Sequence, residues 1–291
     1  MPSERIINAA GGVVWRKRAG TGPNEPRVDV LVVHPQTWED EQDPVLTGHD
    51  YSAMPPPGSR NEARDAIARI AVGLLPHNAM VNLGAGIPMY DVPEAARRAG
   101  REDIYFTVEQ GPMGGWPKAG GVSRQPGMIM PQLDVFDFYE GGGPDVSILS
   151  FGQVDRFGDV NVSRFADLMP GCGGFPNIVH GVRKLFFCGT LTTGGLDETV
   201  GNGTLALHRE GRIDRFVDTV EQVTFNARRA LAAGHEVTFV TDRGVLRLDD
   251  EGFELAMIAP GVDLERDLLA HLPFPVRVTS SLPVLDPAHF T

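Results

Sequence analysis

The stretch MVNLGAGIPMYDVPEAARRAGREDIYFTVEQGPMGG, residues 80–115, decides the fold. It opens on a short apolar run from Met80 to Leu83 that passes into a turn holding Gly84 and Gly86, the pattern of a buried strand ending in a tight loop. Asp91 and Glu94 fit the N-terminal cap of a helix, Pro93 suits an early helical position, and Gly100 suits the stop after EAARRA. A second strand is expected over 104–108, running directly into EQGPMGG. Strand, glycine turn, helix, strand is a βαβ order, which favours a parallel sheet with a right-handed crossover. Ligands of open α/β sheets lie outside the carboxyl ends of the strands, and Glu109 stands at such an end. The GAG at 84–86 lacks the third glycine of a dinucleotide-binding turn, so that ligand class is not indicated.

Outward from this unit, Ser59-x-x-Glu62 forms a capping pattern, and Ala66, Ile67, Ile70 and Leu74 follow at helical spacing, so a helix precedes the first core strand. Further strands are expected at DVSILSF, RKLFFCGTLT, TLALH with its REGR turn, and HEVTFVT, with a late amphipathic helix from Asp263 to Leu272. The start reads differently. AGGVVWRKR and RVDVLVVHP suggest a hairpin or pair of strands around the turn-rich AGTGPNEP, followed by WEDEQDP and the prolines Pro55 to Pro57 as an exposed connection. The expected division is residues 1–58 for N-terminal strands and linker, and 59–291 for the main α/β domain. AAGGVVWR resembles the opening of a Nudix hydrolase, but no box of clustered glutamates follows.

With 291 residues, 42% hydrophobic and 22% charged, the chain has room for one substantial core. Its net charge of -12 argues against a nucleic-acid or anionic-membrane surface, and an anionic ligand requires a local positive site. No signal-peptide core or membrane-length apolar run is evident, which places the protein in the cytoplasm. Cys172 and Cys188 are not paired in CxxC spacing and read as buried free thiols; the eight histidines are scattered, and no metal site is expected.

Seven stretches, taken in order, resemble the C-terminal half of the family I CoA-transferases of the propionate/acetate and 3-oxoacid type. They are VDVLVVHPQTWEDEQDPVLTGH, VNLGAGIP, FTVEQGPMGGWP, FDFYEGGGPDVSILSFGQVDRFGDVNVSRF, GCGGFPNI, FCGTLTTGGL and FELAMIAPGVDLERDLL. The resemblance implies an open, mostly parallel α/β sheet with helices on both faces, NagB/RpiA-like, and a nucleophilic glutamate at Glu109. In that family the glutamate attacks an acyl-CoA thioester to give a mixed anhydride and free CoA thiolate. The thiolate returns to form a glutamyl-CoA thioester, and the acceptor acid reverses the steps.

Such chemistry needs an aligned, partly desolvated carboxylate and backbone donors for the oxyanion. The candidate donors are Gly84, Ala85, Gly86, Gly171, Gly173 and Gly174, with Asn82 and Phe175 bordering the pocket by resemblance. Coenzyme A enters as acyl-CoA substrate, and no tightly bound cofactor is implied. Taken alone, Glu109 also fits a solvated or capping carboxylate, and the glycines fit plain turns. The carboxylates of FDFYEGGGPD read as part of a structural turn, and Arg164 fits either a substrate anion or an ion pair. Lys118 and Pro176 depart from the small or apolar residues common in the family. Single-chain members carry two similar halves, and the motifs here are those of the second, so the resemblance implies a separate α-type subunit in a heterotetramer. Two other readings keep the fold: a hydrolase of CoA-linked intermediates with Glu109 as base, and a non-catalytic structural subunit.

Overall fold

The computed structural model describes residues 6–8, 14–18, 27–31, 62–118 and 121–291. Strands β1 (Ile6–Asn8), β2 (Val14–Arg18) and β3 (Arg27–Leu31) form a three-stranded antiparallel sheet, one strand more than the sequence reading. The proposed linker and the Ser59 cap lie outside the described residues.

Helix α1 (Glu62–Leu74) buries Ala63, Ala66, Ile67, Ile70 and Ala71 at helical spacing, and Asp65, Ala68 and Val72 besides, so it is covered on more than one face. Next come β4 (Met80–Leu83), α2 (Ile87–Arg98) and β5 (Tyr105–Thr107), with β4 and β5 parallel, as the 80–115 stretch predicts. Helix α2 starts earlier than the expected Asp91 cap. Gly86 takes the cap position at φ 89°, Pro88 sits in the first turn, and Pro93 falls inside the helix. The stop is as read: Gly100 adopts φ 65°, its amide donates to Arg97 O and that of Arg101 to Ala96 O.

The chain continues through β6 (Pro112–Met113), the hairpin β7 (Trp116–Lys118) and β8 (Val122–Arg124), β9 (Met128–Ile129), α3 (Gln132–Glu140) and β10 (Val146–Ser150). The short pair β11 (Gln153–Val154) and β12 (Val160–Asn161) precedes α4 (Phe175–Gly181) and β13 (Lys184–Cys188). Then come β14 (Thr192–Thr193), the hairpin β15 (Asp197–Gly201) and β16 (Thr204–Arg209), β17 (Ile213–Asp214) and α5 (Ala227–Ala232). Strands β18 (Glu236–Val240), β19 (Gly244–Asp249), β20 (Gly252–Ile258) and β21 (Arg277–Val278) complete the chain. The expected helix from Asp263 shrinks to a π-helical turn, Leu264–Leu268, and a 3-10 turn, Leu269–His271.

Ten strands make one mixed sheet in the order β21-β20-β19-β18-β13-β10-β4-β5-β6-β9. Its centre, β18-β13-β10-β4-β5, is parallel throughout, and antiparallel strands extend both sides. Alternate strand residues feed two cores. Val81, Leu83, Phe106 and Ile148 pack with α1 and α2, whereas Leu185, Phe187 and Phe239 pack with residues of α3 and α4. Helices therefore cover both faces. From β4 the chain moves on to β5, while from β10 it moves the other way to β13, so the order reverses between β4 and β10. That reversal opens a crevice at the carboxyl ends of the two strands.

Candidate functional site

The crevice is bounded by the loops after β4 and β10. The Gly84 amide donates to Ile148 O at 2.8 Å, and Ser150 Oγ donates to Ala85 O at 2.9 Å. A Cβ on Gly84 would lie 2.6 Å from Leu149 Cδ2, and one on Gly86 would lie 2.6 Å from Ser150 Oγ. Both glycines are thus required by close approach of the two loops. The start of α2 faces this same rim. The amides of Ala85 and Gly86 have no partner among the described residues, which is the ordinary state of a helix N-terminus before a ligand arrives.

Glu109 follows β5, one strand along from the crevice. Burial lifts its carboxyl above the ordinary glutamate range, and it accepts one side-chain hydrogen bond among the described residues, from Gln110 Nε2 at 3.4 Å. Among the described residues, no cationic side chain lies within ion-pair distance. On the other side stands Gly174 at the start of α4: a Cβ there would overlap Glu109 Oε2 and come within 2.5 Å of the Phe136 ring. Gly174 has φ -78°, so a glycine is needed for space and not for backbone freedom.

Beneath Glu109 lies a polar row that the sequence reading missed. Register places Thr107, Asn82 and Ser147 side by side across β5, β4 and β10, and all three are fully buried. Asn82 Nδ2 donates to Ser147 Oγ at 2.7 Å, and the buried Tyr139 hydroxyl of α3 donates to Thr107 Oγ1 at 2.8 Å. Asn82 Oδ1 has no partner among the described residues. Burial, with a smaller contribution from the Glu109 charge, raises the Tyr139 hydroxyl pKa. One signal was available in the sequence: Thr107 and Asn82 are polar residues inside otherwise apolar strand segments.

Other candidates fall unevenly. Gly171 and Gly173 have positive φ and open space around them, and the Gly171 and Phe175 amides donate to Ser163 O and Cys172 O. Phe175 is buried and packs near Phe187. Cys188 is buried, but Cys172 is exposed because its glycine-flanked loop runs over the surface, which corrects the expectation for that thiol. Asp145 is structural, accepting from the Met80 amide at 2.8 Å. Arg164 is exposed, and its backbone carbonyl accepts from Asn161 Nδ2. No group of three His, Cys, Asp or Glu side chains is arranged to hold a metal among the described residues.

Farther along the rim, after β18, a second polar cluster is built differently. The fully buried Arg243 makes two 2.7 Å bonds to the Glu210 carboxylate and one of 3.3 Å to Asp242. Asp242 Oδ1 also accepts from the Leu191 amide at 2.7 Å. Burial, then the neighbouring Asp242 charge, pushes Glu198 up to about 9.

The fold is that of the CoA-transferase structures among α/β proteins. No family model matches the chain. The acetate CoA-transferase YdiF of Escherichia coli O157:H7 is 37% identical over 227 residues, which cover 77% of this chain and 43% of YdiF. The caffeate CoA-transferase of Acetobacterium woodii is 35% identical over 237 residues, 78% of this chain and 45% of that protein. One of the subunits of the 3-oxoadipate CoA-transferase of Pseudomonas knackmussii is 28% identical over 125 residues, 38% of this chain and 48% of that polypeptide. The crystal structure of YdiF as its thioester complex with CoA superimposes with a TM-score of 0.74, over 78% of this chain and 44% of YdiF. The chain is similar to family I CoA-transferases over more than three quarters of its own length and spans less than half the length of the acetate and caffeate relatives.

Proposed function

We propose that this chain is the catalytic, β-type part of a CoA-transferase that moves CoA between an acyl-CoA and a carboxylic acid through a glutamyl-CoA thioester on Glu109. The observation that carries the proposal is the desolvated Glu109 carboxylate, held without a counter-ion among the described residues at the carboxyl rim of a CoA-transferase fold. Desolvation leaves the ionised carboxylate poorly stabilised, which favours attack on a carbonyl. Its oxygen adds to the thioester carbon, the C–S bond breaks, and CoA leaves as thiolate with an acyl-glutamyl anhydride remaining. Thiolate attack on the glutamyl carbon releases the first acid. The acceptor carboxylate then repeats the sequence in reverse and restores Glu109. Amides without a partner among the described residues at Ala85, Gly86, Gly173 and Gly174 are the oxyanion donors in this reading, whereas those of Gly84, Gly171 and Phe175 are already committed. Asn82, under the site, supports it through the buried polar row.

A separate α-type subunit would complete the pocket in a heterotetramer. The likeness to a relative that is itself one subunit of a CoA-transferase supports that assembly. A cytoplasmic location accords with acyl-CoA as substrate, and no described helix is long and apolar enough to cross a membrane.

The test is chemical trapping. The purified protein, with any co-purifying partner, is incubated with acetyl-CoA or succinyl-CoA and then hydroxylamine, and its peptides are analysed by mass spectrometry. The expected product is a hydroxamate at Glu109. Trapping should decline as pH falls through the raised Glu109 pKa, because only the ionised carboxylate attacks. An unmodified Glu109 in a preparation that still consumes thioester would replace transfer by hydrolysis.

A further inference from the structure

Arg215 is a partly buried cation of this rim that lacks an acidic partner among the described residues. Its backbone is pinned, the amide donating to Leu191 O at 3.3 Å and the carbonyl accepting from the Val154 amide at 2.8 Å. Its side chain spans the carboxyl ends of two parallel strands. Nη1 donates to Phe151 O at 3.1 Å, just past β10, and the guanidinium lies 5.6 Å from the centre of the Phe151 ring. Past β13, a Cβ on Gly189 would lie 2.6 Å from Nη1, so that glycine makes room for the guanidinium.

The neighbouring arginines are satisfied. Arg243 is paired with Glu210 and Asp242, and Arg64 with Asp91 at 2.8 Å. Arg215 has a carbonyl and a phenyl ring, with no carboxylate within ion-pair distance among the described residues. Its pKa is lowered, by burial first; the Asp242 charge opposes this and the Arg64 charge adds to it. A covered cation without a counter-ion is costly, and a bound anion removes that cost.

We propose that Arg215 binds a carboxylate of the substrate acid, so that the acid exchanged is a short dicarboxylate: one carboxyl reacts at Glu109 and the distal one pairs with Arg215. The proposal deepens the CoA-transferase reading and rests on it. Glu109 follows β5 and Arg215 lies over the ends of β10 and β13, two to three strands along, so roughly 10–14 Å separates the strand ends at about 4.8 Å per strand. The two side chains take up part of that span, leaving room for an acyl chain of a few carbons. One guanidinium backed by an aromatic ring matches a single carboxylate.

The experiment compares wild type, Arg215→Lys and Arg215→Gln. Binding of succinate, glutarate, acetate and free CoA is measured calorimetrically, and CoA transfer to succinate and to acetate is measured in parallel. Wild type should bind the dicarboxylates more tightly than acetate. Arg215→Gln should weaken that binding, and lower the succinate-to-acetate ratio of kcat/KM, by roughly tenfold or more, the scale of a lost charge-assisted hydrogen bond. Arg215→Lys should recover part of both. Equal binding of mono- and dicarboxylates by wild type would overturn the proposal. So would a loss confined to free CoA, which would assign the arginine to a CoA phosphate, or a variant that keeps its fold by circular dichroism and binds dicarboxylates as wild type does. If wild type transfers CoA to no acid, the enzymatic reading fails while the binding measurements still decide the arginine's role.

Discussion

The two ends of the carboxyl rim handle buried polarity in opposite ways. Beside β5, β4 and β10 lies a neutral row of hydroxyls and one amide, with Glu109 desolvated and uncompensated above it. After β18 the charges are dense and paired, the one guanidinium of Arg243 bonding both Glu210 and Asp242. In the second cluster the cation is already engaged by carboxylates of the chain, whereas the Glu109 carboxylate has no cation among the described residues. The comparison therefore assigns chemistry to the first end and architecture to the second.

The largest effect should come from unbalancing the architectural end. Arg243→Met leaves the Glu210 and Asp242 carboxylates without their cation, which costs about 3–5 kcal/mol by the usual behaviour of broken buried pairs. For a chain of this size that corresponds to a fall in Tm of roughly 10 °C in a thermal melt. Lost transfer activity with an unchanged Tm would break the comparison, because it would give the matched cluster a part in the reaction.

Gly174→Ala probes the opposite end. The backbone there accepts alanine without strain, so the added methyl acts on what it meets, the Glu109 carboxylate and the Phe136 ring. Displacing a nucleophile by a fraction of an ångström should lower kcat/KM by about ten- to a hundredfold. Stability should change by less than about 1 kcal/mol, since a flexible side-chain end can move aside. A large loss of Tm with intact kinetics would instead make Gly174 a packing residue.

What could be read in advance follows the same division. The 80–115 unit was legible because its signals are local: an apolar run, glycine turns, a helix stop at Gly100 and a carboxylate at a strand end. The start of α2 was misplaced because Asp91 and Glu94 mimic a cap, while the actual cap, Gly86, is set by the approach of Ser150. Helix α3 went unread within FDFYEGGGPD, and α4 and α5 are too short to show a period. The β19–β20 hairpin went unrecognised as strands although Gly252 marks its turn. Glu109 and Gly174 were both candidates, but their contact, the Thr107–Asn82–Ser147 row and the Arg243 cluster depend on register between distant strands, which one chain does not display.

The smallest expected effect sharpens the comparison through pH. Both Glu198 oxygens are buried without a hydrogen-bond partner among the described residues, with the Asp242 carboxylate nearby. Its folded pKa is raised to about 9, by burial first and the Asp242 charge second. Between the ordinary glutamate value and about 9 the folded protein binds a proton that the unfolded chain has released, so stability falls as pH rises through that window. Glu198→Gln retains a donor toward Asp242 and abolishes the titration. Melts from about pH 6 to about pH 9 should show a wild-type Tm that declines and a variant that declines less. Parallel slopes would mean that Glu198 is ionised in the fold. The Arg243 end would then hold three carboxylates around one guanidinium, and the contrast with the Glu109 end would be one of degree.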